Sequence, residues 1–161
     1  MRKSNRLFFI IILLILTLFG CQLVSHSSQL IQAKVIRVVD GDTFVAKVEG
    51  KEEKIRLLLV DTPETVHPQK PVEPFGKEAS QFTKEKLRDQ TVGLEFDVQE
   101  RDKYGRLLAY VYLPDGSMLN ELLLEKGLAQ VVVFQPNVKY VDRFREIQKK
   151  ARENKVGIWS E

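Results

Sequence analysis

The sequence predicts an α+β domain in residues 32–161, with five short strands and three helices. Short runs rich in Val, Ile, Leu and Phe end at turns that contain Gly, Asp or Pro, which is typical of strands. Longer charged stretches carry apolar residues at helical spacing. Three strands, one helix, two strands and two helices follow in that order, an arrangement typical of a small α+β domain.

The first three strands form a meander at the start of the domain. They are predicted at residues 33–40, 42–49 and 54–61, with turns at residues 40–42 and 49–50. The third run, KIRLLLVD, is largely apolar, which indicates a strand covered on both faces. It ends before Thr62 and Pro63, because proline interrupts regular structure.

The other elements follow from periodicity and turn residues. Ala79, Phe82 and Leu87 form the apolar face of a helix predicted at residues 75–90. Two more strands are predicted at residues 91–99 and 106–113, a short extended segment at 128–134, and helices at 117–126 and 140–155. Ser117 is the predicted N-cap of the second helix, and Gly127 lies beyond its end.

This order of elements fits a five-stranded Greek-key barrel of the oligonucleotide-binding type, the OB-fold, with three helices. The chain has one cysteine, so no disulfide can form within it. The domain must therefore be stabilised by its core, and its length suffices for one domain.

Residues 1–20 have the composition of an export signal. Three basic residues lie within the first six positions, and residues 7–20 are apolar except for Thr17. This run is shorter than the roughly 20 residues that a membrane-spanning helix needs. Extending it to Val24 gives the alternative of an uncleaved membrane anchor.

Cys21 follows the apolar run directly and is the expected lipidation site. Leu18 and Gly20 precede it in the pattern LFGC, which resembles the bacterial lipoprotein signal. Residues 21–31 are polar and rich in serine, as in a short tether. The protein is expected to be exported, and to be either anchored in the bacterial membrane on its extracytoplasmic side or secreted.

The charge of the exported part is balanced. The whole chain has 25 basic and 22 acidic residues, and three of the basic residues lie within residues 1–20, which contain no acid. The remainder therefore has 22 residues of each sign. A globally basic nucleic-acid-binding protein is excluded, and any attraction for a polyanion must arise from local placement of charge.

Polar clusters lie at the predicted strand ends and in the loops between them. They are residues 40–43, Arg56 with residues 61–64, Lys70 in a proline-rich loop, and residues 102–106. Together they contain what phosphodiester cleavage requires: hard oxygen ligands for a metal, an acid that handles water, and paired guanidiniums for phosphate. Oxygen ligands without a nearby His or Cys favour calcium or magnesium over zinc or copper.

Several collinear motifs resemble the staphylococcal nuclease (thermonuclease, or micrococcal nuclease) family. They are DGDT, RLLLVDTPET, HP, FGKEAS, DKYGR with LAYVY, and the terminal GIWSE. The resemblance extends from about residue 31 to residue 161 and implies the same barrel with three helices. It also implies a calcium-dependent endonuclease that hydrolyses DNA and RNA, prefers single strands and leaves 3′-phosphorylated products.

The resemblance assigns the metal and the attacking water to four residues. Asp42 and Asp61 match the carboxylates that bind one Ca²⁺ ion, and the backbone carbonyl of Thr62 is the third protein ligand. Glu64 matches the acid that positions or deprotonates the attacking water. The side chains of these three acids together with Arg56 and Arg106 carry a net charge of −1 without the ion and +1 with it. The metal therefore reverses the sign of the charge of the site.

The resemblance assigns phosphate and substrate to basic and aromatic residues. Arg56 and Arg106 match the two arginines that hold the phosphate and stabilise the transition state. Lys103 and Tyr104 match residues on the terminal-phosphate and sugar side, and Lys70 is a further candidate for substrate binding. DNA and RNA are the expected partners of a monomer, and no protein partner is implied.

The sequence departs from the family where two tyrosines flank the nucleotide pocket. Aligned on Pro136 and Asn137, these positions hold Val132 and Phe134. The departure leaves catalysis intact but alters base stacking and affinity. The alternative function is a catalytically weak nucleic-acid-binding OB-fold lipoprotein, although such modules typically lack the acids or arginines that are present here.

One geometric conflict arises within the third predicted strand. Side chains alternate along a strand, so Arg56 and Asp61, five positions apart, would point to opposite faces. Their convergence on one site requires a bulge or strong curvature before Asp61.

Overall fold

A computed structural model describes residues 30–65 and 73–160 of the chain, and five of its strands close into a barrel. The strands are β1 (Ile31–Asp40), β2 (Thr43–Val48), β3 (Lys51–Leu57), β4 (Val60–Asp61), β5 (Thr91–Glu95), β6 (Leu107–Tyr112) and β7 (Gln130–Val131). The helices are α1 (Gly76–Leu87), α2 (Leu119–Glu125) and α3 (Val141–Glu153), followed by a 3₁₀ turn at Gly157–Trp159.

The barrel has the strand order β1-β2-β3-β6-β5, and pairing between β1 and β5 closes it. Neighbouring strands are antiparallel except β3 and β6, which are parallel. The predicted α+β fold, a five-stranded OB-fold barrel with three helices, is confirmed. The short strands β4 and β7 pair with each other in a separate two-stranded sheet.

Alternation along β3 separates the core from the surface. Ile55 and Leu57 are buried, whereas Lys54 is exposed and Arg56 is half-buried. The even-numbered side chains of this strand therefore lie on the outer face of the barrel. The helices contribute fully buried side chains to the same core, among them Leu87, Leu119, Leu123, Leu124 and Phe144.

The prediction of one continuous strand over residues 54–61 is wrong. The chain turns at Leu58 and Leu59, and Leu59 has a φ of 60°. A branched side chain rarely adopts this left-handed conformation unless its surroundings enforce it. The turn removes the strict alternation between Arg56 and Asp61, so the irregularity expected before Asp61 is confirmed.

The predicted N-cap of the second helix is also wrong. Helix α2 begins at Leu119, with Met118 in the cap position and no side-chain cap. The backbone N–H and hydroxyl of Ser117 both donate to Asp115 Oδ1, at 2.9 and 2.6 Å, so the preceding turn uses the hydroxyl. The predicted end is confirmed, since Gly127 follows the helix with a φ of 61°.

Glu95 is a buried carboxylate at the end of β5. It accepts hydrogen bonds from the hydroxyls of Tyr112, at 2.8 Å, and Tyr140, at 3.0 Å, and it pairs with the ammonium of Lys139. Burial raises the pKa of the Glu95 carboxyl, but the three donors outweigh this effect and hold the pKa below its ordinary value.

Acid is expected to destabilise the protein through Glu95. Because the pKa is lower in the folded state, the native chain binds fewer protons than the unfolded chain at mildly acidic pH. The contribution of Glu95 to the free energy of unfolding is complete above the ordinary pKa of a glutamate. It is lost, by about 1–3 kcal/mol, as the pH falls through the pKa that Glu95 has in the folded state. Urea titrations between about pH 3 and 7 measure this loss. Glu95→Gln should be less stable at neutral pH and should show a smaller acid-dependent loss; a pH profile identical to that of the wild type would contradict the assignment.

The predictions for the signal, for Cys21 and for most of the tether fall outside the described residues. Ile31, assigned above to the tether, is the first residue of β1. Within the described ranges, the helices are too short or too polar to cross a bilayer.

Candidate active site

The turn between β1 and β2 brings Asp42 against Thr62. Gly41 makes this approach possible, because a Cβ at this position would lie 2.7 Å from the Thr62 hydroxyl oxygen. The hydroxyl of Thr83, in α1, donates to the Gly41 carbonyl at 2.6 Å and fixes the turn from the other side. The Asp40-Gly41-Asp42 sequence is therefore held by tertiary contacts as well as by its turn geometry.

Asp42 is buried and accepts several hydrogen bonds. Its Oδ2 accepts from the backbone N–H and the hydroxyl of Thr62, at 3.1 and 3.2 Å, and its Oδ1 accepts from the Thr43 hydroxyl at 2.8 Å. The same Oδ2 lies 3.1 Å from Arg56 Nη2. The carboxylate is thereby fixed in orientation, as a metal ligand or charge-stabilising group needs to be.

The Arg56 side chain lies on the inside of the turn between β3 and β4. Its Nη1 donates to the carbonyls of Leu57, at 2.8 Å, and Val60, at 2.7 Å. Its Nη2 lies 2.8 Å from Asp61 Oδ1 as well as 3.1 Å from Asp42 Oδ2. The guanidinium thus donates three hydrogen bonds within the protein and forms an ion pair with Asp42, so Arg56 holds the turn as well as the acids.

The two remaining carbonyls of the turn have partners from other parts of the chain. The Leu58 carbonyl accepts from the buried Asn120 side chain at 2.9 Å, and the Leu59 carbonyl accepts from the Val132 N–H at 3.1 Å. The backbone acceptors of the turn are thus satisfied despite its unusual conformation. This network places Asp61 on the same side of the barrel as Arg56.

Asp61 is held between opposing electrostatic effects. Partial burial raises the pKa of the Asp61 carboxyl, the Arg56 guanidinium lowers it, and Asp42 and Glu73 raise it further; the net pKa lies above its ordinary value. Folding therefore disfavours the ionised form of Asp61, chiefly because burial removes the carboxylate from water and also because acids lie nearby.

A second pair of acids lies beside Asp42. Asp40 Oδ1 accepts from the Thr65 hydroxyl at 2.6 Å and from the Gly41 N–H at 2.8 Å. Burial raises the pKa of the Asp40 carboxyl, hydrogen bonds from Thr65 and Gly41 lower it, and Glu64 and Asp42 raise it, with a net increase. Glu64 is positioned through its backbone, since its N–H donates to Glu73 Oε2 at 3.0 Å.

Arg106 reaches the site from the loop before β6. Its Nε donates to Asp102 Oδ2 at 2.7 Å, and its backbone N–H donates to Asp102 Oδ1 at 3.0 Å. Among the described residues, its two terminal nitrogens have no hydrogen-bond partner, in contrast to those of Arg56. The Tyr104 ring lies 5.6 Å from the Arg106 guanidinium carbon and 5.0 Å from Lys103 Nζ.

These side chains line one open pocket of about 350 Å³. Its lining residues are Val39, Asp40, Asp42, Thr43, Lys54, Arg56, Asp61, Thr62, Glu64 and Arg106. With every group ionised, four acids oppose three basic side chains, which leaves one net negative charge. The pocket thus has the net negative charge predicted from the sequence, although that prediction did not count Asp40 or Lys54.

A larger cavity of about 510 Å³ adjoins this pocket, because Arg56, Asp61 and Arg106 line both. Its other walls are mainly apolar or aromatic and include Leu59, Leu108, Tyr104, Val132 and Phe134. Phe134 is 74% exposed at the rim of this cavity. Val132 and Phe134, the two positions at which the sequence departs from the family that it resembles, therefore lie in the cavity next to the charged pocket.

The sequence of residues 54–161 matches the family described as "Staphylococcal nuclease homologue". The chain is 53% identical over 127 residues to a thermonuclease of Staphylococcus hyicus, an alignment that covers 79% of this chain and 75% of the relative. It is 49% identical over 125 residues to a thermonuclease of Staphylococcus intermedius, with coverage of 78% and 74%.

The chain belongs to the staphylococcal nuclease family. Endonuclease YncB of Bacillus subtilis is another relative, 46% identical over 137 residues that cover 84% of this chain and 64% of the relative. The family match begins at Lys54 and so includes the turn at residues 57–61, Glu64 and Arg106. Asp42 lies outside the matched range.

The structure brings most of the site residues expected from the staphylococcal nuclease resemblance together. Asp42, Thr62 and Glu64 line the charged pocket, Lys103 and Tyr104 line the larger cavity, and the remaining three, Arg56, Asp61 and Arg106, line both. Lys70 lies outside the described residues. The sequence did not predict Asp40 or Lys54 as site residues. Asp40 is the first residue of the DGDT motif, where an aspartate is an ordinary turn former.

The charged pocket fits a metal ion, on which the staphylococcal nuclease family depends. One guanidinium nitrogen of Arg56 lies close to carboxylate oxygens of both Asp42 and Asp61. The two carboxylates therefore face the same positively charged group. The acids that line the pocket offer only oxygen donors, which suits calcium or magnesium. In the described residues, no group of three or more His, Cys, Asp and Glu side chains forms a metal cluster; the expected set has two carboxylates and a carbonyl.

Proposed function

We propose that the protein is a calcium-dependent endonuclease that hydrolyses phosphodiester bonds in DNA and RNA, prefers single strands and leaves 3′-phosphorylated ends. The observation that carries this proposal is the convergence of Asp42, Asp61, Glu64, Arg56 and Arg106 on one pocket. The relatives named thermonuclease and endonuclease support the same activity.

The roles of the acids follow from their positions. Asp42, Asp61 and the Thr62 carbonyl would hold one Ca²⁺ ion, which would polarise a phosphoryl oxygen and neutralise negative charge. Glu64, in the same pocket, orients the attacking water and accepts its proton. Asp40 has a raised pKa beside Glu64, and both carboxylates accept from the Thr65 backbone N–H, so Asp40 supports the position of Glu64.

The two arginines have different roles. Arg56 is bound to both metal-binding acids and to the turn, so it organises the site and contributes fixed positive charge. Within residues 30–65 and 73–160, no group accepts a hydrogen bond from the terminal nitrogens of Arg106, and a guanidinium fork matches two oxygens of a phosphate. Arg106 is therefore the residue that stabilises the charge that grows on the phosphoryl oxygens in the transition state.

The preference for single strands is supported by the cavity beside the arginines. Its apolar and aromatic walls suit a base that is not paired or stacked in a duplex, and aromatic faces such as Tyr104 and Phe134 stack on any base. Val132 offers apolar contact only, so stacking is expected from one side. This arrangement favours binding without strong sequence preference.

The proposal predicts cleavage that depends on calcium. The purified protein is incubated with denatured DNA, duplex DNA and RNA in millimolar calcium, and then with excess chelator. We expect denatured DNA and RNA to be cut faster than the duplex, and chelator to abolish all cutting because the pocket returns to net negative charge. Magnesium in place of calcium tests the choice of ion.

Glu64→Gln provides the matched control in this experiment. It removes the base for water and one negative charge, so it should lower cleavage while oligonucleotide binding persists. Cleavage in chelator at the wild-type rate would contradict the metal-dependent mechanism. Binding without cleavage by the wild type would favour the alternative of a nucleic-acid-binding module.

A further inference from the structure

A groove continues outward from the charged pocket past Arg106. A cavity of about 440 Å³ is lined by Lys54, Tyr104, Gly105 and Arg106. Lys54 and Arg106 also line the charged pocket, so the two spaces adjoin. Tyr104 in turn lines both this cavity and the larger apolar one.

Lys54 and Arg56 lie on the same outer face of β3. They are two positions apart, and the residue between them, Ile55, is fully buried in the barrel. Two residues of a strand span about 6.7 Å. This spacing is similar to that between successive phosphates of an extended single strand, so Lys54 can face the next phosphate when the scissile phosphate lies in the charged pocket beside Arg56.

The positive charge of Lys54 is not neutralised by its neighbours on the strand. Among the described residues Lys54 has no ion pair or hydrogen-bond partner, whereas the adjacent Glu53 forms a two-point ion pair with Arg101, at 2.7 and 2.9 Å. Arg101 also donates to the Gly105 carbonyl at 2.8 Å. Arg101 thus ties β3 to the loop that contributes Tyr104, Gly105 and Arg106 to the groove.

We propose that Lys54 and the groove beside Arg106 form a subsite for the phosphate next to the scissile phosphodiester in a single-stranded substrate. The inference rests on the proposed nuclease function and deepens it, because it gives the polynucleotide chain a route across the surface of β3. Lys54 contributes to substrate binding and not to the chemical step.

The test compares Lys54→Ala with Lys51→Ala. Lys51 is exposed on the same strand, three positions earlier and on the opposite strand face, and it lines none of the three cavities. Binding of a labelled single-stranded oligonucleotide is measured by anisotropy in calcium and increasing salt, with Glu64→Gln present in each protein to slow cleavage. Lys54→Ala should weaken binding on the order of five- to tenfold and reduce the slope of log K against log salt by about 0.7. Lys51→Ala should leave both unchanged, and Lys54→Arg should restore them.

Cleavage kinetics of short substrates locate the subsite. Substrates with one phosphodiester are compared with substrates that carry one more phosphate on the 5′ or the 3′ side, using proteins with native Glu64. Lys54→Ala should raise KM for one of the two extended series, leave kcat unchanged, and leave the minimal substrate unaffected.

Two results would overturn the subsite: equal binding by the Lys54→Ala and Lys51→Ala variants, or an equal change in KM for every substrate. Neither result affects the nuclease proposal, which is tested by wild-type cleavage and its dependence on calcium. Should cleavage be absent, the binding and salt measurements still report on Lys54. Melting temperatures equal to that of the wild type establish that each variant is folded.

Discussion

Replacing Asp61 by Asn is expected to lower the cleavage rate at least about 100-fold while the domain remains folded. Asp61 is one of two carboxylates that converge on Arg56, so the change removes one of the proposed metal ligands. Its pKa is raised in the folded state by burial and by nearby acids, despite Arg56. A neutral side chain relieves this unfavourable ionisation, and the melting temperature should be equal to or above that of the wild type.

Asp142→Asn is the matched control, because the Asp142 side chain is fully exposed in α3, outside the cavities described here. Initial rates at saturating calcium and thermal melts are compared for the two variants and the wild type. Loss of folding in Asp61→Asn would show that Asp61 is chiefly structural. Full activity in Asp61→Asn would remove it from the metal site.

Replacing Arg106 by Lys is expected to lower kcat by about two or more orders of magnitude with little change in KM. Lysine keeps the charge but loses both the terminal fork and the Nε donor that binds Asp102. The fork matches a phosphate whose oxygens gain charge in the transition state, so its loss acts on the chemical step. Single-turnover kinetics on a short single-stranded oligonucleotide separate this effect from binding.

Lys103→Ala serves as the comparison in the same loop. It removes a point charge beside Tyr104 and should mainly weaken binding and reduce its salt dependence. If Arg106→Lys instead raised KM and left kcat intact, Arg106 would be a docking residue. The equivalent change at Arg56 is less informative, because Arg56 also holds the turn at residues 57–60 and its loss would alter folding.

Much of the barrel could be predicted from the sequence because its signals are local. Alternating apolar residues, the turns at residues 40–42 and 49–50, and the glycine after α2 each specify structure within a few positions. The end of an apolar run at Asp61 likewise marked a strand end that carries acids. These features required no knowledge of distant contacts.

The turn at Leu58 and Leu59 could not be predicted in this way. The sequence LLLV contains no Gly, Asn or Pro, and the left-handed φ of Leu59 depends on partners far along the chain. Asn120, sixty-two positions after Leu58, supplies one of them. Only the conflict between strand alternation and a shared site indicated that the strand must break.

Two site residues were missed for a related reason. Asp40 looked like an ordinary turn former, and its contact with Thr65, twenty-five positions away, is tertiary. Lys54 looked like one charge in a mixed hairpin, and only the fold shows that it lines the charged pocket together with Arg106, fifty-two positions away. A sequence alone does not show which charges are neutralised.

The most direct test of the metal-dependent nuclease site is cleavage of a short single-stranded oligonucleotide as a function of free calcium, with the wild type and Asp61→Asn compared and the product ends identified. Extracellular calcium sites commonly bind at roughly 10⁻⁴ to 10⁻³ M, and we expect wild-type cleavage to saturate in this range and to yield 3′-phosphates. Asp61→Asn should remain inactive at the same calcium concentrations. Cleavage that is independent of calcium and equal in the two proteins would contradict the assignment of this pocket as the active site.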